Sequence, residues 1–507
     1  QLRPMEVPQS RRSILYVEGE PRWEYKFLRR AVVDESSPIR LASLLRTTPN
    51  KFYRQGLTSG EELEDGFPTT EEDLFVYDAI IIGAGVIGSP IAYELARMGY
   101  KTLNIDKLSD AGEGSTAASC AIVRAHYSTE DGVAMAYDGF KYWLDWENYL
   151  DHVEDEKGLA KYMNTGSILI KSQGHDWRKV KKHYDAVGVS YEEWDNDKIK
   201  EMVPVYDMHE HWPVRRPEDS EFFNEPKKML EGALFCPEGG YVNDPALSTH
   251  NVMRAAEAKG AEFLFNAEVV EVRSQDNQVL GVTLKDGTQI DAPVVVNAAG
   301  PHSYKINQMA EGVYEGCNIK TKALRHEVMH CPSPEGYDYL KSGYHTSDGD
   351  IACYYRPEVG NMFLIGSEDP ECDPQEWVDP DEFYAGKGGL GRDNQLTEAQ
   401  WKAQTYRCAK RVPSMQIPNQ PRGTCDLYDC SDDWIPIYDK SDMKGFYMAI
   451  GTSGNQYKNA LVVGAMMAEL IDACEKGHDH DTDPFQFKLR YIGRTINVGF
   501  FSRNREI

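Results

Sequence analysis

The chain of 507 residues is 41% hydrophobic with 29 Tyr, the make-up of an ordinary globular protein with room for about three domains and large cores. Its formal net charge of −26 argues against nucleic acid, which needs a basic surface. Neither a run of ~20 apolar residues for a membrane span nor a charged-then-apolar leader is read in it. The ten Cys form no CxxC pair, so neither a zinc ribbon nor a disulfide framework is indicated, and a reducing, cytoplasmic setting is expected.

Residues 1–76 form an extension. Within it 13–17 read as a strand, 21–33 as an amphipathic helix, 39–45 as a strand or short helix, and 47–70 as polar and turn-rich. The runs Tyr16-Val17-Glu18-Gly19-Glu20-Pro21-Arg22-Trp23-Glu24 and Leu45-Arg46-Thr47-Thr48-Pro49-Asn50-Lys51-Phe52-Tyr53 resemble the opening of a glutamine-amidotransferase-like domain found in some large bacterial membrane proteins. That likeness spans residues 12–82 and stops at the next strand. The extension is expected to be either a piece fused at that strand or a βα unit packed on the surface.

Asp78-Ala79-Ile80-Ile81-Ile82 is an apolar, β-branched run suited to a parallel strand buried on both faces. It breaks into Gly83-Ala84-Gly85-Val86-Ile87-Gly88, followed by a helical pattern over 89–98 and a second strand over 101–105. Gly83 permits the tight turn, Gly85 lets backbone approach a pyrophosphate, and Gly88 lets the helix pack on the strand. The helix N-terminus offers N–H groups to phosphates. Asp106, with Lys107 beside it, stands about 20 residues on, where a ribose hydroxyl is bound. Small residues follow in Gly114-Ser115-Thr116-Ala117-Ala118-Ser119-Cys120, letting backbone run close to a planar group; then comes Ile122-Val123-Arg124-Ala125-His126-Tyr127.

Further along, 133–150 is aromatic-rich and helical in period, 162–170 reads as strands and 177–202 as helix. Gly239-Gly240-Tyr241-Val242-Asn243-Asp244-Pro245 leads into a helix over 246–259 capped by Asn243 or Asp244. Strands are expected at 261–265, 269–273 and 282–284, with hairpins at Asp276-Asn277 and Asp286-Gly287. Ala292-Pro293-Val294-Val295-Val296-Asn297-Ala298-Ala299-Gly300 is a buried strand delivering small residues to a ligand. Short strands at 322–330, 351–356 and 362–366 suggest an antiparallel sheet. The turn Gly451-Thr452-Ser453-Gly454-Asn455-Gln456-Tyr457-Lys458 precedes a helix over 461–474.

The glycine motif with Asp106, the 239–245 segment, the 294–300 strand and the 451–458 turn occur in the order of one family. The chain from 77 to about 474 resembles the FAD-dependent family of D-amino-acid oxidase, glycine oxidase and sarcosine oxidase. The resemblance implies an α/β fold: a discontinuous Rossmann-type FAD-binding domain (77–165, 227–316, 430–480) with a second, largely antiparallel β-sheet substrate domain (166–226, 317–429) and a tail at 481–507. By that likeness the cofactor is FAD, Val269 contacts its adenine region, Ala299 and Gly300 line it, and Gly451, Gly454, Asn455 and Lys458 close over it. Arg124 resembles the arginine that grips the substrate carboxylate, Lys458 the lysine ending the closing turn, and Tyr428, in Leu427-Tyr428, a tyrosine facing substrate. An arginine fork with a lysine point charge would fix an amino acid for hydride transfer.

The implied reaction is oxidation of the C–N bond of a small secondary or N-methylated amino acid, giving an imine that hydrolyses, with electrons passing to oxygen or a redox carrier. Two departures stand out. Leu364 occupies the place of an oxygen-activating lysine, which favours a dehydrogenase, and Cys425 lies one position from the cysteine that some relatives bond to flavin, so it is expected to be free. His126 would serve as base if the substrate were a 2-hydroxy acid; that dehydrogenase, or a non-catalytic flavin-binding interaction protein, are the alternatives. His478-Asp479-His480-Asp481 is expected to be solvated rather than a metal site.

Overall fold

A computed structural model describes residues 12–18, 39–48, 51–55, 77–152, 156–386 and 396–506. The run 79–82 is apolar at every position because both faces of its sheet are covered. It is the strand Ala79–Ile82, third in a six-stranded sheet ordered Glu262–Leu264, Thr102–Ile105, Ala79–Ile82, Val294–Asn297, Phe446–Ile450, Ile437–Lys440. The first five strands are parallel and the last is antiparallel. Side chains alternate along each strand. Ala79 and Ile81 therefore join one core with the helices Gly88–Arg97 and Ala460–Glu475, and Ile80 and Ile82 join another beneath the meander Val269–Gln275, Gln278–Leu284, Gln289–Asp291.

A nine-stranded sheet forms the second unit. Its path runs Glu376–Val378, Thr321–Pro332, Met362–Ser367, Cys353–Glu358, His345–Asp348, Ser167–Ile170, Ala233–Cys236, Glu192–Trp194, and Gly423–Ser431 pairs along Thr321–Pro332. The pairings are antiparallel except His345–Asp348 with Ser167–Ile170. Phe363, Ile365, Cys353 and Tyr355 pack into a core with Trp401 and Cys408 of the helix Glu398–Arg411. The alternate residues, Tyr354, Arg356 and Leu364, take the opposite face. This is the α/β architecture, Rossmann-type sheet plus largely antiparallel sheet, expected from the sequence.

Several local expectations change. The 177–202 stretch is two helices, Trp177–Val187 and Asn196–Met202, separated by the strand Glu192–Trp194; Gly188, at φ +82°, ends the first. Asp244, not Asn243, caps the helix Pro245–Glu257 by accepting from Leu247 N. In the extension, Arg12–Glu18 pairs parallel with Ile39–Thr48, which pairs antiparallel with Lys51–Gln55, so 39–45 is strand; the helix expected at 21–33 lies outside the described residues. The His478–Asp481 stretch is not solvated throughout. His480 is buried with Nε2 3.6 Å from Asp439, and Asp481 pairs with Arg503 and Lys440. Among the described residues no group of His, Cys, Asp or Glu could hold a metal, and no helix is long and apolar enough to cross a membrane.

Candidate active site

Where the two sheets meet, a cavity of about 780 Å³ opens. Its floor is the turn after Ala79–Ile82. Gly83 has φ +113°, and a Cβ there would lie 2.4 Å from Ala298 O, so only glycine fits. A Cβ on Gly88 would lie 1.9 Å from Gly83 O, which explains the close approach of helix to strand. Gly85 lacks only a methyl that would touch Thr116 Oγ1 at 3.2 Å, and that hydroxyl accepts from Val86 N. Asp106 braces the same turn: Oδ2 accepts from Ala84 N (2.8 Å) and Oδ1 from Leu108 N (2.9 Å). Lys107 Nζ lies 2.8 Å from His302 Nε2.

Of the residues singled out in the sequence for the cofactor, Gly83, Gly85, Val86, Ile87, Asp106, Lys107, Ser115, Thr116, Ser119, Cys120, Val269, Ala299, Gly300, Gly454, Asn455 and Lys458 line this cavity. Gly88 and Gly451 do not. Gly88 is consumed in helix–strand packing, and Gly451 sits behind the closing turn, its N donating to Asp429 Oδ2 at 2.6 Å.

The four residues expected at the substrate also line the cavity. Asn455 joins two of them. Arg124 Nη2 donates to Asn455 Oδ1 (3.0 Å) and its Nη1 to His126 O (2.6 Å), with the guanidinium 5.2 Å from the Tyr127 ring centroid. Lys458 Nζ donates to Asn455 O (2.5 Å) and Tyr127 Oη (2.7 Å). Burial, then the Arg124 charge, pushes the Lys458 pKa well below its usual value. Neither cation meets a carboxylate among the described residues. Tyr428 stacks on His326 (4.2 Å between centroids), and its hydroxyl is 3.3 Å from that of Tyr354. Burial raises both phenols well above their ordinary pKa, so both remain protonated.

His126 is neutral: burial, then Arg124, holds it well below the ordinary imidazole value. Beside it stand two histidines that the sequence did not single out. The His345 ring is parallel to His126 at 6.5 Å, and the His175 ring is 6.0 Å away. Burial opposes protonation of His175, but Glu368, 3.0 Å away, raises its pKa above the usual value. Tyr354, His175, His345, Glu368 and Asp429 were all missed. Tyr354 alone had a local signal, the alternation of its strand, and the others depend on pairings between distant segments.

Cys425 turns away from the cavity into a small core with Ala323 and Phe383, and burial pushes its thiol up to about 12. The neighbouring lining position is Asp426, whose Oδ1 accepts from Tyr384 Oη at 2.6 Å. Asp429 is fully buried, accepting from Ser303 Oγ (2.8 Å) as well as Gly451 N, and burial raises it to about 7.

A cavity that combines a glycine turn, an acid at the end of the second strand and a roof of aromatic side chains has the form of a flavin dinucleotide site. The chain belongs to the FAD dependent oxidoreductase family (DAO), whose family model matches residues 78–470. Among curated proteins it is similar to FAD-dependent oxidoreductase domain-containing protein 1 of Bos taurus, 23% identical over 457 residues, 82% of this chain and 85% of that protein. Glycine oxidase of Geobacillus kaustophilus (strain HTA426) is 24% identical over 431 residues, 82% of this chain and 98% of its own length. Among solved structures, L-proline dehydrogenase from P. horikoshii superposes with a TM-score of 0.64 at 20% identity, covering 85% of this chain and 97% of that one; this shows shared fold. The protein is thus an FAD-dependent oxidoreductase. The family match begins at residue 78, so it lends no support to the amidotransferase-like reading of residues 12–82.

Proposed function

We propose that the protein oxidises the C–N bond of a small secondary or N-methylated amino acid of the sarcosine kind, the imine product hydrolysing in water. The observation that carries this reading is the convergence of Arg124 and Lys458 on Asn455, two cations without a carboxylate partner among the described residues, in the same cavity as the glycine turn. FAD, when bound along residues 83–88, supplies the hydride acceptor.

Gly85, Val86 and Ile87 would hold its phosphates, Asp106 and Lys107 its ribose, Val269 its adenine, and Ser115 to Cys120, Ala299, Gly300, Gly454 and Asn455 its flanks. The Arg124 fork binds the substrate carboxylate, with the guanidinium already oriented by His126 O, Asn455 and Tyr127. Lys458 adds a second donor, and the arriving anion favours its protonated form. Tyr428 and Tyr354 offer hydroxyls to the substrate. An amine that binds neutral needs no protein base. Leu364, apolar and buried, favours a redox carrier over oxygen as electron acceptor. The ten free cysteines support a reducing, cytoplasmic setting.

One observation favours a second reading. His126 is a neutral imidazole in the cavity, the base that a 2-hydroxy acid would require. Anaerobic mixing of the yellow protein decides between the two. Bleaching by sarcosine or proline but not 2-hydroxyglutarate supports amine oxidation. The reverse moves the activity to hydroxy acids, and protein that takes up no FAD leaves only a partner-binding role.

A further inference from the structure

We infer that the amino-acid substrate carries a second carboxylate, received by His345 and His126. The inference rests on the amine-oxidation reading and names its substrate class.

Ser167 Oγ engages His345 Nδ1 at 2.8 Å. His345 Nε2 is buried without any hydrogen-bond partner, although its ring lines the cavity. A buried polar atom of this kind needs a partner, and here the cavity is where a ligand can supply one. His126 lies parallel to it, two residues on from Arg124, whose Nη1 donates to His126 O at 2.6 Å. The guanidinium and both imidazoles line one cavity, so a carboxylate held at Arg124 leaves a second, on a short side chain, to the imidazoles.

The two acids beside the histidines are matched: Glu368 lies 3.0 Å from His175, and Asp369 lies 3.6 Å from His326. Arg124 and Lys458 meet no carboxylate among the described residues and converge on Asn455 instead. A dicarboxylate brings two negative charges beside Arg124, which favour the protonated form of Lys458, whereas a phosphorylated amino acid brings about three near neutral pH. A purely apolar side chain would leave His345 Nε2 without a partner and both imidazoles against hydrocarbon.

The test compares kcat/KM for flavin reduction by N-methyl-aspartate and N-methyl-glutamate with that for N-methyl-alanine, in the wild type and in His345→Gln. The expected preference for the dicarboxylates is about ten- to hundred-fold, the worth of hydrogen bonds to a charged group, and His345→Gln removes most of it. Binding of glutarate against butyrate to the wild-type holoenzyme, read from the flavin absorbance, gives the same comparison without turnover or a variant; glutarate should bind more tightly. No dicarboxylate preference in either assay, or a preference that His345→Gln leaves unchanged, overturns the inference while amine oxidation stands. If no N-methyl amino acid bleaches the flavin and 2-hydroxyglutarate does, amine oxidation itself fails, and the inference with it.

Discussion

Replacing Arg124 with lysine keeps the charge and removes the fork. The structure shows what is lost: the bonds to His126 O at 2.6 Å and Asn455 Oδ1 at 3.0 Å, and the contact with Tyr127. A lysine ammonium makes point contacts and does not present a planar pair of donors, so one of two bonds to the substrate carboxylate goes with the fork. A hydrogen bond to a charged partner contributes about 1.5–3 kcal/mol, so kcat/KM should fall roughly 10- to 150-fold. Arg124→Ala also removes the charge and should cost more, about 2–5 kcal/mol. The assay is anaerobic stopped-flow reduction of the flavin by an N-methyl amino acid, with flavin content measured on the same sample. Arg124→Lys reducing within three-fold of wild type at full flavin content would refute the carboxylate role.

The two glycines of the turn should separate fold from cofactor. Gly88→Ala forces the helix off the strand and should lower stability by about 3 kcal/mol or more in thermal melts. Gly85→Ala meets only the Thr116 hydroxyl at 3.2 Å, so it should melt near wild type yet purify with less flavin; the opposite ranking would invert the assigned roles. Asp429 binds a proton in the folded state up to about pH 7, against an ordinary 3.8. The stability it contributes is present at low pH and lost as pH rises through that window, up to about 4 kcal/mol at 1.36 per unit. Asp429→Asn should flatten that slope in urea titrations, and equal slopes would sink the assignment. Acid precipitation should release all the flavin from wild type and from Cys425→Ser alike, because Cys425 faces a core; flavin retained only by wild type would show a covalent bond.

What was legible in the sequence is local or periodic. The 79–82 strand, the glycine turn and the 276–277 hairpin each specify their own backbone; Asp276 and Asn277 both adopt positive φ, 51° and 63°, as the hairpin signal requires. Arg124 and Lys458 could be chosen because each sits in a motif, although no local rule shows that Asn455 joins them. The misreadings share one physical origin: the deciding partner is distant in the chain. Glu192–Trp194 is a strand because Ala233–Cys236 lies beside it, forty residues on, and holds its backbone N–H and C=O groups. His480 and Asp481 read as solvent-facing because polar residues after a helix usually are. Asp439 and Arg503 arrive from a sheet edge and the chain end to form an ion network around them, and a paired charge tolerates burial where a lone one does not. His345 follows the same logic in the cavity. Its place is set by the parallel pairing of His345–Asp348 with Ser167–Ile170, which also brings Ser167 to its Nδ1. One pairing between segments nearly 180 residues apart thus fixes the ring and, by occupying one nitrogen, leaves the other to whatever enters from the cavity.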